Sequence, residues 1–436
     1  MPTTPNSIES CRGSDARSVS FIVLLLSFLI VASAPLPAQT YSFSVLHAFS
    51  GKPDGASPEA SLLRDRAGNL YGTTYAGGTN GVGSVFKLTP TGTESVPYSF
   101  CSGPHCSDGE EPAAGLITDQ AGNFYGTTES GGGSASGGVV FKLTPAGAET
   151  VLYTFTGGTG GNKPLAPVIR DATGHLYGTT YSASGHTGSG VVFEITSPGH
   201  ESVLHTFGTF PDGIGPSAGL LEDSNGNLFG TTTYGGETPK GVQADGTVFE
   251  IDSTDHESVL YNFCSASGTN PCADGKYPEA GLLMDQDGNL YGTTSSGGVN
   301  DLGVVFKLAP PASPSGLWNE TVLYNFCNVH PSCTDGRTPL AGLAMDREGN
   351  FYGTTRYGGG VGSSGYGVVF KLDLLGNYTV LYAFTHGTDG AYPLAGVILD
   401  SAGNLYGTTY QGGHLSACSG AGCGTVFKLT LNKELP

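Results

Sequence analysis

One tetrapeptide recurs along the chain, and this recurrence limits the fold more than any other feature. The segment Tyr-Gly-Thr-Thr, once changed to Phe-Gly-Thr-Thr, occurs seven times at intervals of 52 to 62 residues, beginning at Tyr71, Tyr125, Tyr177, Phe229, Tyr291, Tyr352 and Tyr406. Each copy follows an Asp-x-x-Gly-Asn segment, in which His175 once replaces the Asn. A period of this length indicates one supersecondary unit that is repeated and stacked against its neighbours.

Each repeat contains four short runs of strand-forming residues. An apolar run rich in small residues comes first, as at 280–285, followed by the Tyr-Gly-Thr-Thr run, a Val-Val-Phe-Lys-Leu run and a Val-Leu-Tyr-x-Phe run. β-Branched and aromatic residues bounded by Gly, Pro and Asn are typical of strands. No stretch after residue 40 has the sustained apolar spacing of a helix, so we expect no substantial helix. The Asp-x-x-Gly-Asn segments suit tight hairpins, because Asp caps a turn and Gly accepts positive φ.

Four antiparallel strands repeated seven times predict an all-β, seven-bladed β-propeller as one domain over residues 41–430. A Val-Leu-Tyr-x-Phe-like run occurs at 44–49, before the first Tyr-Gly-Thr-Thr, and the last repeat ends after its third run. We therefore expect 44–49 to supply the outer strand of the last blade, which removes an open sheet edge. An alternative frame makes the Val-Leu-Tyr-x-Phe run innermost, without this closure. The first frame is favoured because the Ala- and Gly-rich run suits a crowded central axis.

The N-terminal segment 1–38 has the features of a secretory signal peptide. Arg12 and Arg17 precede an apolar run at 21–34, and small residues follow it. This run is shorter than the roughly 20 residues that a membrane span needs, although an uncleaved anchor is the alternative. We therefore expect a secreted or extracytoplasmic protein, at the cell surface or in the periplasm, with a short C-terminal tail at 431–436.

Cysteine spacing agrees with export. Eight of the nine cysteines form four close pairs in the sequence: Cys101 and Cys106, Cys264 and Cys272, Cys327 and Cys333, and Cys418 and Cys423. An even number of locally paired cysteines in an exported chain predicts disulfide bonds. A zinc site is disfavoured because no Cys-x2-Cys segment occurs.

Net charge restricts the class of partner. The chain has 37 acidic and 18 basic residues, which gives a formal net charge of −19. This balance argues against nucleic acid, since phosphate binding needs a basic surface, and against docking on anionic lipid. No second apolar stretch is long enough to cross a membrane, so we expect that the mature chain does not insert into a membrane. We also expect a monomer.

The segments Asp-x-x-Gly-Asn-Leu-Tyr-Gly-Thr-Thr, Gly-Gly and Gly-x-Val-Phe-Lys-Leu resemble the GloVer tandem repeat, a glycine-rich repeat of exported bacterial proteins that are often described as choice-of-anchor repeat proteins. The resemblance covers about 41–430. It implies a surface or secreted location and no established activity. Members often carry a C-terminal anchoring segment, whereas this chain ends shortly after its last repeat, which favours release.

The links between repeats carry a second acidic motif, Asp-Gly-x-x-Pro. Its carboxylates are expected on one face of the ring: Asp54, Asp108, Asp212, Asp274, Asp335 and Asp389. Two interpretations stay open. Each Asp caps its own turn, which is favoured because a repeat copies its turn residues, or the set binds Ca²⁺ or a cationic ligand through several oxygens. No other cofactor is expected.

Signals for an enzyme are few. The chain contains no His-Glu-x-x-His segment. Residues that depart from the repeat are better catalytic candidates than its consensus residues, and three of them follow Tyr-Gly-Thr-Thr-type segments: Glu129, Glu237 and Arg356. The favoured explanation for these three is that they are solvated charges on loops. The sequence thus predicts an exported, non-enzymatic propeller that binds a glycan or an envelope protein through its loop-rich face. The alternatives are an enzyme acting on extracellular polysaccharide and a purely structural surface protein.

Overall fold

The computed structural model describes residues 39–432 except 184–188, 209, 239–240, 242, 266–269, 271, 314–315, 330 and 361–364. The chain divides into two compact units, Met1–Gln39 and Thr40–Pro436. The predicted signal peptide at 1–38 and the end of the predicted tail, 433–436, lie outside the described residues. All of the following concerns the second unit.

The strands of the described residues form seven four-stranded antiparallel sheets, the blades of a propeller. The first strand, β1 (Thr40–Ala48), belongs to the last blade. Blade 1 consists of β2 (Leu63–Arg64), β3 (Leu70–Thr74), β4 (Ser84–Leu88) and β5 (Glu94–Ser99). Blade 2 consists of β6 (Ile117–Thr118), β7 (Phe124–Thr128), β8 (Val139–Leu143) and β9 (Glu149–Thr154). Blade 3 consists of β10 (Ile169–Arg170), β11 (Leu176–Thr180), β12 (Val191–Ser197) and β13 (His200–Thr206).

A separate two-stranded sheet flanks the fourth blade and consists of β14 (Gly213–Ile214) and β17 (Tyr234–Gly235). Blade 4 consists of β15 (Leu221–Glu222), β16 (Leu228–Thr232), β18 (Thr247–Ile251) and β19 (Glu257–Asn262). Blade 5 consists of β20 (Leu283–Met284), β21 (Leu290–Thr294), β22 (Val304–Ala309) and β23 (Asn319–Asn325). Blade 6 consists of β24 (Ala344–Met345), β25 (Phe351–Thr355), β26 (Val368–Leu372) and β27 (Tyr378–Ala383).

Blade 7 closes the ring and consists of β28 (Ile398–Leu399), β29 (Leu405–Thr409), β30 (Thr425–Asn432) and β1. The helices in the described part of the chain are short 3₁₀ turns at Pro104–Cys106, Gly133–Ala135, Gly158–Gly160 and Cys418–Gly420. None of the described helices has the length and apolar character to span a membrane. The predicted all-β propeller with seven four-stranded blades is confirmed.

The N-terminal strand joins the last blade, as the order of the motifs predicts. β1 pairs with β30 in an antiparallel register that runs from Thr40 opposite Asn432 to Ala48 opposite Thr425. The Phe43 ring of β1 stacks on Tyr382 of blade 6, with ring centroids 3.8 Å apart. The first strand of the chain therefore completes blade 7 and also contacts the blade before it.

The apolar core lies between neighbouring blades rather than in one central mass. One cluster contains Val369 and Phe384 of blade 6 together with Leu405 and Phe427 of blade 7. Equivalent clusters join the other blades around the ring. Because a single blade cannot bury its faces alone, its stability depends on both of its neighbours.

The repeated tetrapeptide has a physical explanation, which blade 1 illustrates. The Tyr71 hydroxyl donates to the Asp65 carboxylate at 3.2 Å and ties β3 to the turn before it. A Cβ on Gly72 would lie 2.6 Å from Cζ of Phe86, so the Phe of the third run requires a glycine here. The Thr74 hydroxyl shares a hydrogen bond of 2.8 Å with Ser84 of β4.

The first threonine of each tetrapeptide forms a buried hydrogen bond to the next blade. Its hydroxyl donates over 2.8 to 3.3 Å to the carbonyl of an alanine in the first run of that blade: Thr73 to Ala114, Thr127 to Ala166, Thr179 to Ala218, Thr231 to Ala280, Thr293 to Ala341, Thr354 to Ala395 and Thr408 to Ala60. The last of these bonds joins blade 7 to blade 1. The bonds thus form a closed circle around the axis.

Candidate functional site

The Ala- and Gly-rich first runs of all seven blades line a central channel, which confirms the favoured frame of the repeat. The channel has a volume of about 670 Å³ and is lined by small residues such as Ala114, Gly115, Ala218 and Gly281. At one end it adjoins a second cavity of about 470 Å³, called here the mouth, which shares one lining residue with it in each blade. Pockets of this size lie within the usual range for small ligands.

The mouth is formed by two kinds of loop, those that link one blade to the next and those that join the second and third strands. The two loops pair through their backbones, as between Ala56 and Ala76 in blade 1 and between Glu110 and Ser130 in blade 2. The residue after the Pro of each blade-to-blade link faces the mouth: Glu59, Ala113, Leu165, Ser217, Glu279, Leu340 and Leu394. Two of these seven equivalent positions therefore carry a carboxylate.

The residue before the same proline has a left-handed backbone in every repeat. Its φ lies between 56° and 71° at Ser57, Glu111, Lys163, Gly215, Tyr277, Thr338 and Tyr392. Its amide donates to the preceding blade, as from Glu111 to the Val82 carbonyl at 2.8 Å. This conformation costs about 1 kcal/mol or more for a residue other than Gly. The links between blades therefore fix the backbone of the mouth in an unfavourable but invariant geometry.

Glu59 is the most perturbed acid of the mouth. Burial raises the pKa of Glu59 to about 7, with further contributions from the charges of Glu129 and Glu111, while Arg356 opposes the shift. Burial also raises the pKa of Glu279, and a Ser295 hydrogen bond and the Arg356 charge oppose it. Near neutral pH, Glu59 thus exchanges a proton readily, whereas an ordinary exposed glutamate is ionised.

Glu129 is held by hydrogen bonds from two neighbouring blades. The Lys163 ammonium donates to it at 2.8 Å and the Tyr75 hydroxyl at 3.4 Å. The hydrogen bond to Glu129 raises the pKa of Lys163, and burial followed by the Glu129 charge raises the pKa of Tyr75 well above its usual range. Glu129 is thereby oriented as an acceptor at the mouth.

Tyr234 lines the mouth, and tyrosines and Arg356 of other repeats occupy equivalent or adjacent positions in the loops around it. Tyr357 lies against Tyr392, with ring centroids 5.6 Å apart, and the Arg356 guanidinium lies 5.0 Å from the Tyr357 ring centre. Tyr234 lies against Tyr277 at 5.3 Å on another part of the rim. Aromatic rings with polar tips combine apolar contact area and hydrogen-bonding groups, which suits recognition of amphipathic ligands.

The structure separates the three candidates that break the repeat. Glu129 lines the mouth, whereas Arg356 is not among its lining residues and acts through its charge on both mouth glutamates. Glu237 lies in an exposed loop, where its amide donates to Asn262, and it is not among the residues that line the described mouth. Glu59 and Glu279 were not singled out from the sequence. Their signal is present, because these two are the only carboxylates at their position in the seven repeats.

The six carboxylates of the Asp-Gly-x-x-Pro motif lie elsewhere, each beside the outer strand of its own repeat. None of them lines the channel or the mouth as described. Each accepts a hydrogen bond of 2.7 to 3.2 Å from a tyrosine hydroxyl or histidine nitrogen of the fourth run: Asp54 from His47, Asp108 from Tyr98, Asp212 from His205, Asp274 from Tyr261, Asp335 from Tyr324 and Asp389 from Tyr382. These bonds are compatible with turn capping, and Ca²⁺ binding by the set stays a prediction.

The cysteines pair as predicted. The four pairs lie at disulfide distance, with Cα atoms 3.9, 3.8, 4.1 and 5.4 Å apart for Cys101–Cys106, Cys264–Cys272, Cys327–Cys333 and Cys418–Cys423. Each disulfide closes a loop on the same face as the mouth. By the chain-entropy estimate, one such short loop contributes roughly 2–3 kcal/mol by restricting the unfolded chain.

A row of glutamates recurs on the fourth strands of blades 1 to 5. Each has one buried carboxylate oxygen without a hydrogen-bond partner in the described part of the chain: Glu94, Glu149, Glu201, Glu257 and Glu320. Burial raises the pKa of Glu149 to about 7 and that of Glu320 to about 8, with further increases from the charges of Asp108 and Asp274. Glu149 and Glu320 therefore keep their protons to a higher pH than an exposed glutamate does.

This row predicts a pH-dependent stability. Because the pKa values of Glu149 and Glu320 are higher in the folded state than in the unfolded chain, their stabilising effect is complete at low pH and is lost as pH rises through about 7 to 8. We expect the Tm, followed by circular dichroism, to fall by several degrees between pH 5 and pH 9. The double variant Glu149→Gln, Glu320→Gln should flatten this profile, and exposed Glu348→Gln should not. Equal profiles for the double variant and the parent would contradict the assignment.

Several solved structures resemble this chain in fold at low sequence identity. A protein assigned as a gluconolactonase has a TM-score of 0.42 and 12% identity, covering 91% of this chain and 94% of that one. PorZ, a surface component of the type-IX secretion system of Porphyromonas gingivalis, has a TM-score of 0.49 and 15% identity, covering 88% of this chain but 48% of PorZ. A luciferin-regenerating enzyme has a TM-score of 0.39 and 15% identity, covering 73% and 92%.

Sequence comparison identifies the family. No protein with a curated description matches the chain significantly. The model of the Gloeobacter/Verrucomicrobia repeat matches residues 35–160, 95–275 and 270–435, which together cover nearly all of the propeller. This match agrees with the resemblance in the repeated segments, and the chain therefore belongs to the Gloeobacter/Verrucomicrobia repeat family.

Proposed function

We propose that this protein is an extracytoplasmic binding protein that holds a glycan at the mouth of its central channel. The observation that carries the proposal concerns the residue that follows each tetrapeptide. The backbone is strictly repeated there, but the side chains differ from repeat to repeat. The residues that follow the seven tetrapeptides are Tyr75, Glu129, Tyr181, Thr233, Ser295, Arg356 and Tyr410. A purely structural ring does not need different side chains at this position, whereas the binding of a ligand without sevenfold symmetry does.

The chemistry of the mouth supports a sugar as the ligand. The tyrosine faces offer flat apolar surfaces for the C–H faces of a sugar ring. Glu129 and Glu279 offer acceptors for hydroxyl groups, and Arg356 offers donors. The Nε of Arg356 is buried and has no hydrogen-bond partner among the described residues. The mouth therefore contains both donors and acceptors around an aromatic rim.

The shape of the mouth favours a small ligand over a protein surface. A cavity of about 470 Å³ has room for one or two sugar units, whereas a stable protein partner usually buries about 800 Å² on each side. The four disulfides support a location outside the cytoplasm, where such bonds persist and where glycans are abundant.

A glycan array probed with the full chain, with and without Ca²⁺, tests the proposal. Two variants replace residues of one loop beside the mouth by the residue of another repeat, so that the fold is retained: Arg356→Ser copies Ser295, and Tyr357→Ser copies Ser296. We expect each to weaken binding of the retained glycan at least tenfold. Glu348→Ala, which copies Ala67 on the opposite face, is the matched control and should bind normally.

Absence of any glycan ligand, or equal binding by both mouth variants and the parent, would overturn the proposal. Binding that requires Ca²⁺ would place a cation beside the sugar. Capture of an envelope protein without glycan binding would favour the other class of partner.

Hydrolysis of the bound glycan is a second candidate function, favoured by one observation. Glu59 has a pKa of about 7, while nearby Glu129 is paired with a lysine. Two carboxylates whose environments differ in this way are suited to the roles of general acid and stabilising anion. If the protein is a hydrolase, Glu59→Ala, which copies Ala113, should abolish release of shorter products in a chromatographic assay and retain binding.

A further inference from the structure

A second cluster of ligating side chains lies between blades 3 and 4, away from the mouth. His205 projects from β13, Asp212 lies in the link that follows, and Glu257 belongs to β19 of the next blade. His205 Nε2 lies 3.0 Å from Asp212 Oδ2. One ligating atom from each of the three side chains lies within 4.8 Å of the other two. Three donors from two blades thus converge on one point.

Comparison around the ring shows that a histidine is not needed to hold the aspartate. At the equivalent position, other repeats use a tyrosine hydroxyl for the same bond, as Tyr98 does to Asp108 at 2.7 Å and Tyr261 to Asp274 at 2.9 Å. An imidazole adds what a phenol lacks, which is a nitrogen that binds transition metals at neutral pH.

The charges around the cluster favour a cation. One carboxylate oxygen of Glu257 is buried and has no hydrogen-bond partner in the described part of the chain. Among the described residues, no Lys or Arg forms an ion pair with either carboxylate. A bound cation would neutralise both acids at once.

The cluster is also accessible from outside. The side chains of His205 and Asp212 are 22% and 20% exposed. This exposure leaves a path for an ion and room for water as a further ligand. The remaining oxygen of Asp212 accepts a hydrogen bond of 2.6 Å from the Gly213 amide, which orients the carboxylate.

We propose that His205, Asp212 and Glu257 form a Zn²⁺ site that joins blade 4 to blade 3, with water completing a tetrahedral shell. Zn²⁺ is bound by imidazole nitrogen and carboxylate oxygen at about 2.0–2.2 Å. Ca²⁺ and Mg²⁺ prefer oxygen ligands alone, in larger number, so the histidine selects against them. The site stabilises the ring and is independent of what the mouth binds.

The test uses the full chain with its disulfides oxidised and without a histidine tag, titrated with Zn²⁺ by calorimetry. His205→Tyr is the sharpest variant, because it restores the side chain of other repeats and keeps the bond to Asp212. We expect it to fold normally and to lose one equivalent of bound Zn²⁺. Glu257→Gln should weaken Zn²⁺ binding at the same site at least tenfold. His47, which bonds to Asp54 at 3.2 Å, is retained in both variants.

Thermal unfolding gives a second readout. Zn²⁺ should raise the Tm of the parent by a larger margin than that of His205→Tyr, because a ligand that binds only the folded state stabilises it. A parent that takes up no Zn²⁺, or a His205→Tyr variant that binds as much Zn²⁺ as the parent, would overturn the proposal. Ca²⁺ binding that competes with Zn²⁺ at equal concentration would refute the assignment of the metal.

Discussion

Deletion of β1, residues 40–48, is expected to destabilise the whole propeller rather than one blade. The strand covers the edge of β30, and its side chains Tyr41, Phe43 and Leu46 pack partly buried against the clusters of blades 7, 6 and 1. Removing these three apolar contacts costs roughly 4–6 kcal/mol. We expect a Tm lower by ten degrees or more in circular dichroism, together with aggregation through the exposed edge.

A peptide with the sequence of residues 39–50 provides the control for this deletion. Added in excess, it should bind the open blade and restore most of the lost Tm, since the register with β30 is set by side chains on both strands. A peptide with Ser in place of Phe43 should restore less. Unchanged thermal unfolding of the truncated chain would show that the closure contributes nothing.

Substitution of the glycine in one tetrapeptide is expected to lower the stability of the propeller clearly. In Gly353→Ala, the new Cβ would lie 2.6 Å from Cζ of Phe370 and 3.1 Å from Cδ2 of Leu343. All three residues belong to a closely packed contact between β25, β26 and the first run of blade 6, where there is no room for an added methyl group. Overpacking of this kind costs about 1–3 kcal/mol.

Chemical denaturation should show this loss as a lower midpoint with an unchanged slope. Gly208→Ala is the matched control, because among the described residues its Cβ would meet only the Ser189 side chain, at an ordinary 3.5 Å. Equal midpoints for Gly353→Ala and the parent would mean that the Phe ring moves aside freely. The repeated glycine would then need another explanation.

The architecture was predictable because each repeat gives the same local signals. The turn formed by Asp65 and Asn69 is seen in structure as the sequence suggests, with the Asn69 amide donating to Asp65 at 2.8 Å. The place of 44–49 followed from motif order alone. The circle of threonine bonds was not predicted, because a hydroxyl in a strand does not indicate which neighbouring carbonyl it will meet.

The site was predictable only in part. Glu129 and Arg356 were singled out because they break the repeat, and both act at the mouth. Glu59 and Glu279 break it equally but follow a proline in a variable link, and a sequence does not give the distance of such a position from the axis. The six aspartates lie beside the outer strands, and the sequence did not give their distance from the axis either. Local sequence determines where a residue lies within the repeat, whereas its distance from the propeller axis depends on how the blades assemble.

The pairing of β1 with β30 also sets the order of events during biosynthesis. Ser42 and Asn432 share a hydrogen bond across 390 residues of chain. β1 leaves the ribosome before every other strand of the propeller and β30 after all of them, so the seventh sheet forms only when the whole repeat region has been synthesised. Until then β1 has no partner strand, and the pairing of β1 with β30 marks the closure of the ring.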